Sequence, residues 1–311
     1  MSVGSCPGVG VDLGGTKIEI IALAGDGAVL DRERRSTPAG DYAATLDTMA
    51  ALIELIEPIT GPINRVGVGT PGALSAATGL IKNSNSTVLN GRALDRDLEK
   101  RLKRPVRLEN DANCFALSEA VDGAAAGAAT VFGVILGTGV GGGLVVDRRL
   151  VRGRNHVAGE WGHNPLPWAR ASDLPGAPCY CGKSGCIETY LSGAGLARAY
   201  HSASGRELAA HTIARAADEG DPAALACLEQ YADQLARGLA TVINVLDPEA
   251  IVLGGGLSNI TRLYREVPPL IGRYAFSDRI TTPILKARHG DSSGVRGAAW
   301  LWQSTRERSS A

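Results

Sequence analysis

The chain has 311 residues, 44% of them hydrophobic, and its 32 basic residues balance its 32 acidic residues. This length and composition allow a large core and predict two domains. The neutral charge gives no bulk attraction to nucleic acid or to an anionic membrane, and no apolar run is long enough to span a membrane. The N-terminus lacks the basic and apolar regions of a signal peptide. We therefore expect a cytoplasmic protein without a nucleic-acid or membrane partner.

The first predicted elements are two strands joined by a glycine turn. Residues 9–23 form two β-branched apolar runs around Gly14-Gly15, which is a two-glycine hairpin signal. A third strand is predicted over residues 28–35. Residues 42–57 then have helical spacing, with four apolar side chains on one face. These side chains are Leu46, Met49, Ile53 and Ile56.

Strands and helices continue to alternate through the first half of the chain. Residues 66–72 predict a strand that enters a loop, and a polar loop follows at residues 83–91. Residues 94–102 predict a short helix. Residues 106–108 predict a strand, and a helix is expected to run from shortly after Asp111 to about residue 121. Asp111 is therefore expected between a strand and a helix.

The second half of the chain repeats the opening pattern. Residues 131–146 again predict a strand, a glycine-threonine turn and a strand, after a linker at residues 122–127. Two such hairpins in one chain predict two related halves. Residues 190–245 are alanine-rich with helical periodicity. Residues 250–258 predict a strand that enters a glycine turn, and residues 288–300 predict a loop and a terminal helix.

Three glycine turns follow predicted strands, and together they indicate a nucleotide. They are Gly14-Gly15-Thr16, Gly137-Thr138-Gly139 and Gly254-Gly255-Gly256. Glycines let backbone N–H groups approach phosphate oxygens, and a threonine hydroxyl adds a donor. Each turn alone could be no more than a hairpin. The sequence contains no Walker P-loop, and its first glycines do not form a dinucleotide-binding motif.

Two aspartates are candidates for the chemistry of phosphoryl transfer. Asp12 ends the first strand beside the glycine turn, where a carboxylate could orient Mg²⁺ through water. The alternative is a turn-forming aspartate. Asp111 is the candidate general base, and its alternative is the N-cap of the next helix. Asn110, Glu160 and Glu188 could hold sugar hydroxyls by hydrogen bonds, although each alone could be a solvated loop residue.

Three cysteines within eight residues predict a metal site. Gly182 and Gly185 let the backbone turn so that the sulfurs of Cys179, Cys181 and Cys186 can face one point, and thiolates around one point suit zinc. His163 is the nearest upstream candidate for the fourth ligand. A closed Cys3His site would be structural Zn²⁺, tying a loop that carries Glu160 to one that carries Glu188. The alternative is one disulfide and a spare thiol.

These motifs together resemble bacterial sugar kinases of the ROK (repressor, open reading frame, kinase) family. The resemblance runs from Val9 to about Trp302 and rests on six motifs. They are Asp12-Leu-Gly-Gly-Thr-Lys17, Glu109-Asn-Asp-Ala-Asn113, Leu136-Gly-Thr-Gly139, Glu160-x-x-His163, Cys179-x-Cys-Gly-x-x-Gly-Cys186-x-Glu188 and Leu253-Gly-Gly-Gly256. Residues 83–91 and the Cys179-Tyr-Cys-Gly-Lys segment are most similar to the fructokinase and mannokinase branch. Val140-Gly-Gly-Gly143 also resembles N-acetylglucosamine kinases.

The resemblance implies an α/β, actin-like ATPase (ribonuclease-H-like) fold of two domains with ATP in the cleft between them. Residues 1–121 would form the small domain, with a terminal helix at about 290–303 packing back on it, and residues 122–289 the larger one. The first two glycine turns, with Asp12 and Lys17, would bind the phosphates and Mg²⁺. Gly254-Gly255-Gly256 would face the adenosine. A homodimer is also expected.

The resemblance further implies that Asp111 takes the proton from the sugar 6-hydroxyl. It places Asn110, Glu160, His163 and Glu188 on the sugar, with Asn85 as a further candidate. His163 would bind zinc through one ring nitrogen and the sugar through the other. The insert at residues 164–178, between His163 and Cys179, departs from the family pattern and bears directly on the geometry of the zinc site.

The polar loop at residues 83–91 predicts fructose as the best substrate and mannose as the next. Its Asn85, Ser86 and Thr87 offer hydrogen bonds and no apolar surface for an acetamido methyl group. The alternatives are an N-acetylglucosamine kinase or a glucokinase. A non-enzymatic alternative is a sugar-sensing regulator. A repressor would need a DNA-binding domain, and the first strand is expected by residue 9, which leaves no room for one.

Overall fold

The computed structural model describes residues 8–84 and 86–302. It divides into two compact units. The first unit takes residues up to 127, residues 143–158 and residues from 291 onward. The second takes residues 128–142 and 159–290. The sequence places a boundary after residue 121 and does not anticipate that residues 143–158 group with the first unit.

Strands and helices alternate along the described chain. The strands are β1 (Gly8–Leu13), β2 (Lys17–Leu23), β3 (Val29–Ser36), β4 (Val66–Thr70), β5 (Ala73–Leu74), β6 (Ile81–Lys82), β7 (Val106–Asn110), β8 (Thr130–Leu136), β9 (Val140–Val146), β10 (Arg149–Leu150), β11 (Ala250–Gly254) and β12 (Ile284–Lys286). The α-helices are α1 (Tyr42–Thr60), α2 (Leu94–Leu102), α3 (Asp111–Val121), α4 (Ile187–Leu191), α5 (Gly193–Ser204), α6 (Ala210–Asp218), α7 (Pro222–Leu246), α8 (Leu263–Ile271) and α9 (Ser293–Trp300).

The first unit is built on a five-stranded sheet with the order β3-β2-β1-β4-β7. The glycine turn joins β1 and β2 as an antiparallel hairpin, as predicted. β4 is parallel to β1 and to β7, so the carboxyl ends of these three strands meet at one edge. Asp12 lies opposite Gly69, and Thr70 lies opposite Asn110. The register therefore places the ends of β1 and β7, which carry two of the predicted site motifs, at the same edge of the sheet.

Helix α1 covers this sheet with an apolar face close to the predicted one. Met49, Ile53 and Ile56 are buried, as is Leu52, whereas Leu46 is only partly buried. The helix runs to Thr60, three residues beyond the predicted end. Asp41 accepts a hydrogen bond from the Ala44 N–H and caps the helix.

Helix α9 packs directly on the backbone of the first sheet and on α3. A Cβ at Gly10 of β1 would collide with the backbone of Ala299, and one at Gly67 of β4 would collide with that of Ala298. Gly297 in turn lies against the backbone of Cys114 in α3. Glycine is required at these positions because the backbones approach too closely for any side chain. The terminal helix is thereby part of the first unit.

The second sheet has the strand order β10-β9-β8-β11-β12. β11 is parallel to β8 and to β12. The boundary between the two units falls within β9, after Gly142. The long helix α7 is the main buried helix of the second unit, and Asp221 caps its first turn. Strands β5, β6, β10 and β12 are two or three residues long and were not predicted. No helix of the described chain has the length and hydropathy to cross a membrane.

Candidate active site and metal centre

Asp12 lies near the end of β1 in a region of negative charge. Its side chain is only partly exposed, and a Cβ at Gly294 of α9 would lie 3.1 Å from its Oδ2. Burial, followed by the charges of Asp111 and Glu19, raises the pKa of Asp12 to about 7. Lys17 opposes this shift. A carboxyl group in such surroundings gains most from a nearby cation, which fits the predicted role beside Mg²⁺.

The first glycine turn is fixed at its base and exposed at its apex. The Gly14 N–H donates to the Lys17 carbonyl at 2.9 Å, and the Thr37 hydroxyl donates to the Gly14 carbonyl at 2.7 Å. Gly15 and Thr16 are exposed. A fixed turn with an exposed apex suits phosphate oxygens because little ordering remains to be done on binding.

A buried carboxylate that the sequence did not single out lies beside this turn. Glu19 is 2% exposed, and both its oxygens accept hydrogen bonds from arginines of β3. Arg34 donates to Oε2 at 2.6 Å and Arg32 to Oε1. The Lys17 ammonium is 4.0 Å from the same Oε2. Alternation along β2 places Lys17 and Glu19 on one face, which is the signal that could have indicated their contact.

Asn110, and not Asp111, is the N-cap of α3. The Asn110 Oδ1 accepts a hydrogen bond from the Asn113 N–H at 2.9 Å, and Asp111 is the first residue of the helix. The cap that was weighed as the alternative role for Asp111 therefore belongs to its neighbour. The Asp111 side chain is exposed, and its Oδ1 accepts from the Ala112 N–H at 2.8 Å and from the Asn110 amide at 3.2 Å.

Glu109, near the end of β7, stabilises the start of α3. Its Oε1 accepts from the Asn113 amide at 2.9 Å and from the Asn110 N–H at 3.1 Å. Its Oε2 accepts from Arg152, which belongs to the segment 143–158. Glu109 was noted only as part of a motif and Arg152 not at all, because the two residues lie far apart in the sequence. The pair fixes the backbone that carries Asn110 and Asp111.

The structure brings the four predicted metal ligands together. One ligand atom from each of His163, Cys179, Cys181 and Cys186 lies within 4.8 Å of all the others. The His163 Nδ1 is 3.6 Å from the Cys179 Sγ, and the Cys181 and Cys186 sulfurs are 3.6 Å apart. Ligand atoms around a tetrahedral zinc ion, with bonds of about 2.3 Å to sulfur and 2.0 Å to nitrogen, lie roughly 3.5–3.8 Å apart. The donor set and these two distances therefore fit zinc.

The second ring nitrogen of His163 contacts a tyrosine of the same cysteine loop. The His163 Nε2 and the Tyr180 hydroxyl oxygen are 3.0 Å apart, and the two rings meet edge to face with centroids 5.1 Å apart. Tyr180 is 75% exposed. Partial burial, followed by the charges of Glu188 and Glu160, raises the pKa of Tyr180 to about 12. Tyr180 was not among the predicted site residues.

The short turn that carries Glu160 and His163 is held by a buried tryptophan. Trp161 packs edge to face on Phe132, and its indole N–H donates to the Gly141 carbonyl at 3.0 Å. Glu160 itself is exposed and begins the turn. The buried ring between them thus fixes two predicted site residues relative to β8 and β9.

Glu188 joins the cysteine loop to the second glycine turn. It follows Cys186 in the first turn of α4, and its Oε2 accepts from the Val140 N–H at 2.9 Å. The Gly193 N–H donates to the Gly137 carbonyl at 2.8 Å, so the turn is held on both sides. Thr138 at its apex is exposed.

The third glycine turn follows β11. Gly255 has φ 79°, and a Cβ there would collide with the backbone of Leu136, so glycine is required on both grounds. Gly254 is buried, whereas Gly256 is exposed with open space beside it. The turn leads into a short 3₁₀ helix over Gly256–Asn259.

The insert at residues 164–178 is anchored by a buried ion pair. Asp173 of the insert and Arg237 of α7 are each 1% exposed at the side chain and 2.9 Å apart. Gln234 donates to the second oxygen of Asp173 at 2.9 Å. Arg237 also donates to the carbonyls of Pro167 and Trp168. The insert is therefore a fixed part of the second unit, next to the metal ligands.

Asn85, the further candidate for a sugar ligand, lies outside the described residues. The loop on either side of it is held by Asn90, whose amide group exchanges two hydrogen bonds of 2.9 Å with the backbone of Ser84. Ser86 and Thr87 belong to the described part of this loop.

Comparison with known proteins shows the family. The model of the ROK family matches residues 8–305, so the chain belongs to this family. The N-acetyl-D-glucosamine kinase of Vibrio cholerae serotype O1 is 43% identical over 94% of this chain and 98% of its own length. That of Yersinia pseudotuberculosis serotype O:3 is 41% identical over 94% of this chain and 97% of its own length. These relatives do not support the predicted fructokinase branch.

Solved structures agree with the fold. The ROK hexokinase of Thermus thermophilus has a TM-score of 0.85 and 34% identity, and the match covers 95% of this chain and 97% of that one. A ROK family glucokinase of Streptomyces griseus, in complex with glucose and AMPPNP, has a TM-score of 0.75 and 30% identity, covering 95% and 98%. The chain therefore has the α/β, two-domain, actin-like ATPase fold that was predicted.

Proposed function

We propose that this protein is an ATP-dependent sugar kinase that phosphorylates the 6-hydroxyl of N-acetyl-D-glucosamine. The observation that carries the sugar assignment is the 43% and 41% identity, over 94% of the chain, to two N-acetyl-D-glucosamine kinases. Fructose was the sugar expected from the polar loop. N-acetyl-D-glucosamine, the sugar of one of the alternatives, is proposed in its place. Glucose is a second candidate, because a hexokinase and a glucokinase are 34% and 30% identical to the chain.

In the proposed reaction Asp111 is the general base. Its exposed carboxylate accepts the proton of the 6-hydroxyl while that oxygen forms a bond to the γ-phosphorus of ATP. The bond from the γ-phosphorus to the bridging oxygen of ADP breaks, and ADP leaves with the electron pair. Asp111 then releases its proton to water. The hydrogen bonds from Ala112 and Asn110 to one oxygen support this role, because they orient the carboxylate.

The sugar is proposed to bind Asn110, Glu160, His163 and Glu188, with Asn85 as a further ligand. The hydrogen bonds of Asn110 and Glu188 within the protein indicate which of their atoms would bind the sugar. The Asn110 Oδ1 is engaged in capping α3 and one amide N–H donates to Asp111, which makes the other amide N–H the group for a sugar oxygen. One Glu188 oxygen accepts from Val140, which leaves the other to accept from a sugar hydroxyl.

Mg²⁺-ATP is proposed to bind through the glycine turns. The exposed apices at Gly15-Thr16 and Thr138 offer donors for phosphate oxygens, with Lys17 adding charge. Asp12 would orient Mg²⁺ through water, and the turn at Gly254-Gly255-Gly256 would face the adenosine. When bound, Mg²⁺ neutralises the charge that develops on the phosphates.

His163, Cys179, Cys181 and Cys186 are proposed to hold a structural zinc ion. With four protein ligands the site has no open position, so the ion would fix the loops and take no part in the chemistry. A cytoplasmic location and a homodimer are carried forward as proposals.

The test is a coupled ADP-release assay with N-acetylglucosamine, glucose, mannose and fructose. We expect N-acetylglucosamine to give the highest kcat/KM, by at least about tenfold over fructose, because an unpaired polar group in a site costs much of the binding energy. Equal or better efficiency with fructose or glucose would overturn the sugar assignment. Absence of ADP release with all four sugars would overturn the proposed activity.

A further inference from the structure

The Tyr180 hydroxyl group has a specific partner although its ring lies at the surface. Tyr180 sits between two of the proposed metal ligands, Cys179 and Cys181, and is 75% exposed. Its oxygen is nevertheless 3.0 Å from the Nε2 of His163, which is within hydrogen-bonding distance. The ring contact adds an edge-to-face arrangement with an interplanar angle of 88°.

The direction of this hydrogen bond follows from the other side of the imidazole. The His163 Nδ1 faces the sulfur of Cys179 at 3.6 Å, so it is the nitrogen that would bind zinc. A metal-bound nitrogen needs its lone pair, which places the ring proton on Nε2. Nε2–H therefore donates, and the Tyr180 oxygen accepts.

We propose that Tyr180 is a positioning residue of the metal centre, which fixes the tautomer and ring orientation of His163 by accepting the hydrogen bond from Nε2–H. The inference rests on the zinc site of the proposed function and does not depend on which sugar is used. Outer partners of this kind commonly orient metal-binding histidines and raise their basicity. Here the partner comes from the same loop as the cysteines, so the loop supplies three ligands and the orientation of the fourth.

This arrangement also bears on the proposed contact between His163 and the sugar. In the structure the second ring nitrogen is engaged with Tyr180, and the same nitrogen is the one proposed to meet the sugar. Both contacts need the proton on Nε2, so the tautomer that Tyr180 fixes is also the one that would donate to a sugar oxygen. Through zinc, His163 would in addition join the turn that begins at Glu160 to the loop that leads to Glu188.

The test compares Tyr180→Phe with the wild type and with Tyr42→Phe. Both variants lose one hydroxyl and keep the ring, and the Tyr42 hydroxyl bonds Asp97 in the other unit, at 2.9 Å. Zinc affinity is measured by competition with a coloured chelator. We expect Tyr180→Phe to weaken zinc binding by about tenfold or more, the range seen for outer-shell partners, and Tyr42→Phe to leave it unchanged.

A spectroscopic measurement tests the tautomer itself. In the zinc-loaded wild type, ¹⁵N NMR of the His163 ring should show a metal-bound Nδ1 and a protonated Nε2, and the Nε2–H signal should move in Tyr180→Phe. A protonated Nδ1, or zinc affinity in Tyr180→Phe within about twofold of the wild type, would overturn the inference. A wild type that binds no zinc would overturn the zinc site as well, which separates that failure from a wrong choice of sugar.

Steady-state kinetics supplies a readout that loss of packing would not mimic. In Tyr180→Phe at limiting zinc, KM for the sugar should rise more than kcat falls, because the loops loosen while Asp111 is untouched. Added zinc should restore KM by refilling the weakened site. A KM that stays high at saturating zinc would point to a packing defect and would contradict the positioning role.

Discussion

The carboxylate of Glu188 lies directly against Gly139 of the second glycine turn. The Oε2 of Glu188 accepts a hydrogen bond from the Val140 N–H at 2.9 Å, and a Cβ at Gly139 would lie 2.6 Å from the same oxygen. Glu188, which is proposed to bind sugar, therefore contacts the second glycine turn, which is proposed to bind phosphate. A side chain at residue 139 would therefore require Glu188 to move.

Gly139→Ala should displace Glu188 and weaken the binding of both the sugar and the nucleotide. The added methyl cannot coexist with the carboxylate in its present position, so the Val140 hydrogen bond is lost. We expect KM for the sugar to rise by about tenfold or more, since a lost hydrogen bond to a charged group costs roughly 1.5–3 kcal/mol. Gly272→Ala is the matched control, because a Cβ there meets only the Pro269 carbonyl at 3.8 Å. Equal sugar KM values in the two variants would contradict the argument.

Asp111→Asn should abolish turnover and leave sugar binding largely intact. The amide can keep the hydrogen bond from Ala112 through its carbonyl oxygen but cannot accept the proton of the 6-hydroxyl. A general base typically contributes about 10²–10⁴-fold. Kinetics and calorimetric titration of sugar would be measured on the same preparation. More than roughly a tenth of the wild-type kcat would show that another group takes the proton.

Removal of one thiolate should couple metal loss to sugar binding. We expect about one zinc per chain in purified wild type and much less in Cys181→Ser, because a closed tetrahedral site needs all four ligands. The sugar KM should rise in parallel, since Glu160 and Glu188 lie on the loops that the ion would join. Elemental analysis with kinetics provides the check. Less than about half an equivalent of zinc in a fully active wild type would reject the structural role.

The stability of the protein without metal and nucleotide should depend on pH through Asp12. Its pKa is raised to about 7, so between about pH 4 and pH 7 the folded protein retains a proton that the unfolded chain has released. The contribution of this group to stability is therefore greatest at low pH, falls as the pH rises through that window, and is constant above it. Its size is on the order of a few kcal/mol.

Asp12→Asn removes this titration and provides the comparison. Denaturant unfolding of both proteins at several pH values should show a smaller loss of stability between pH 4 and pH 7 in the variant. Parallel pH profiles for the two proteins would mean that Asp12 has an ordinary pKa in the folded state.

The features that the sequence predicted well are those specified by neighbouring residues. The hairpin at Gly14-Gly15 follows from a two-residue turn signal, and α2 has the predicted bounds, residues 94–102. The metal cluster followed from three cysteines within eight residues, with only His163 brought from further away. Local spacing restricts the backbone strongly, so little tertiary information is needed.

Features that depend on distant parts of the chain could not be predicted in this way. Glu109 acquires its role from Arg152, which the return of residues 143–158 to the first unit brings to it. The exchange of the N-cap from Asp111 to Asn110 is a shift of one residue, within the usual uncertainty of helix ends. The sugar was inferred from a polar loop alone, whereas discrimination between hexoses depends on the complete set of contacts.

The close packing of α9 on Gly10 and Gly67 has a consequence for biosynthesis. The ribosome completes residues 128–142 and 159–290, which make up the second unit, before it reaches the helix that finishes the first. Domains usually complete folding in order from the N-terminus during translation, and here the order of completion is reversed. Until α9 emerges, β1 and β4 keep an uncovered backbone surface at these two glycines. A chain that stalls or is cleaved before residue 291 would expose that surface to chaperones and proteases.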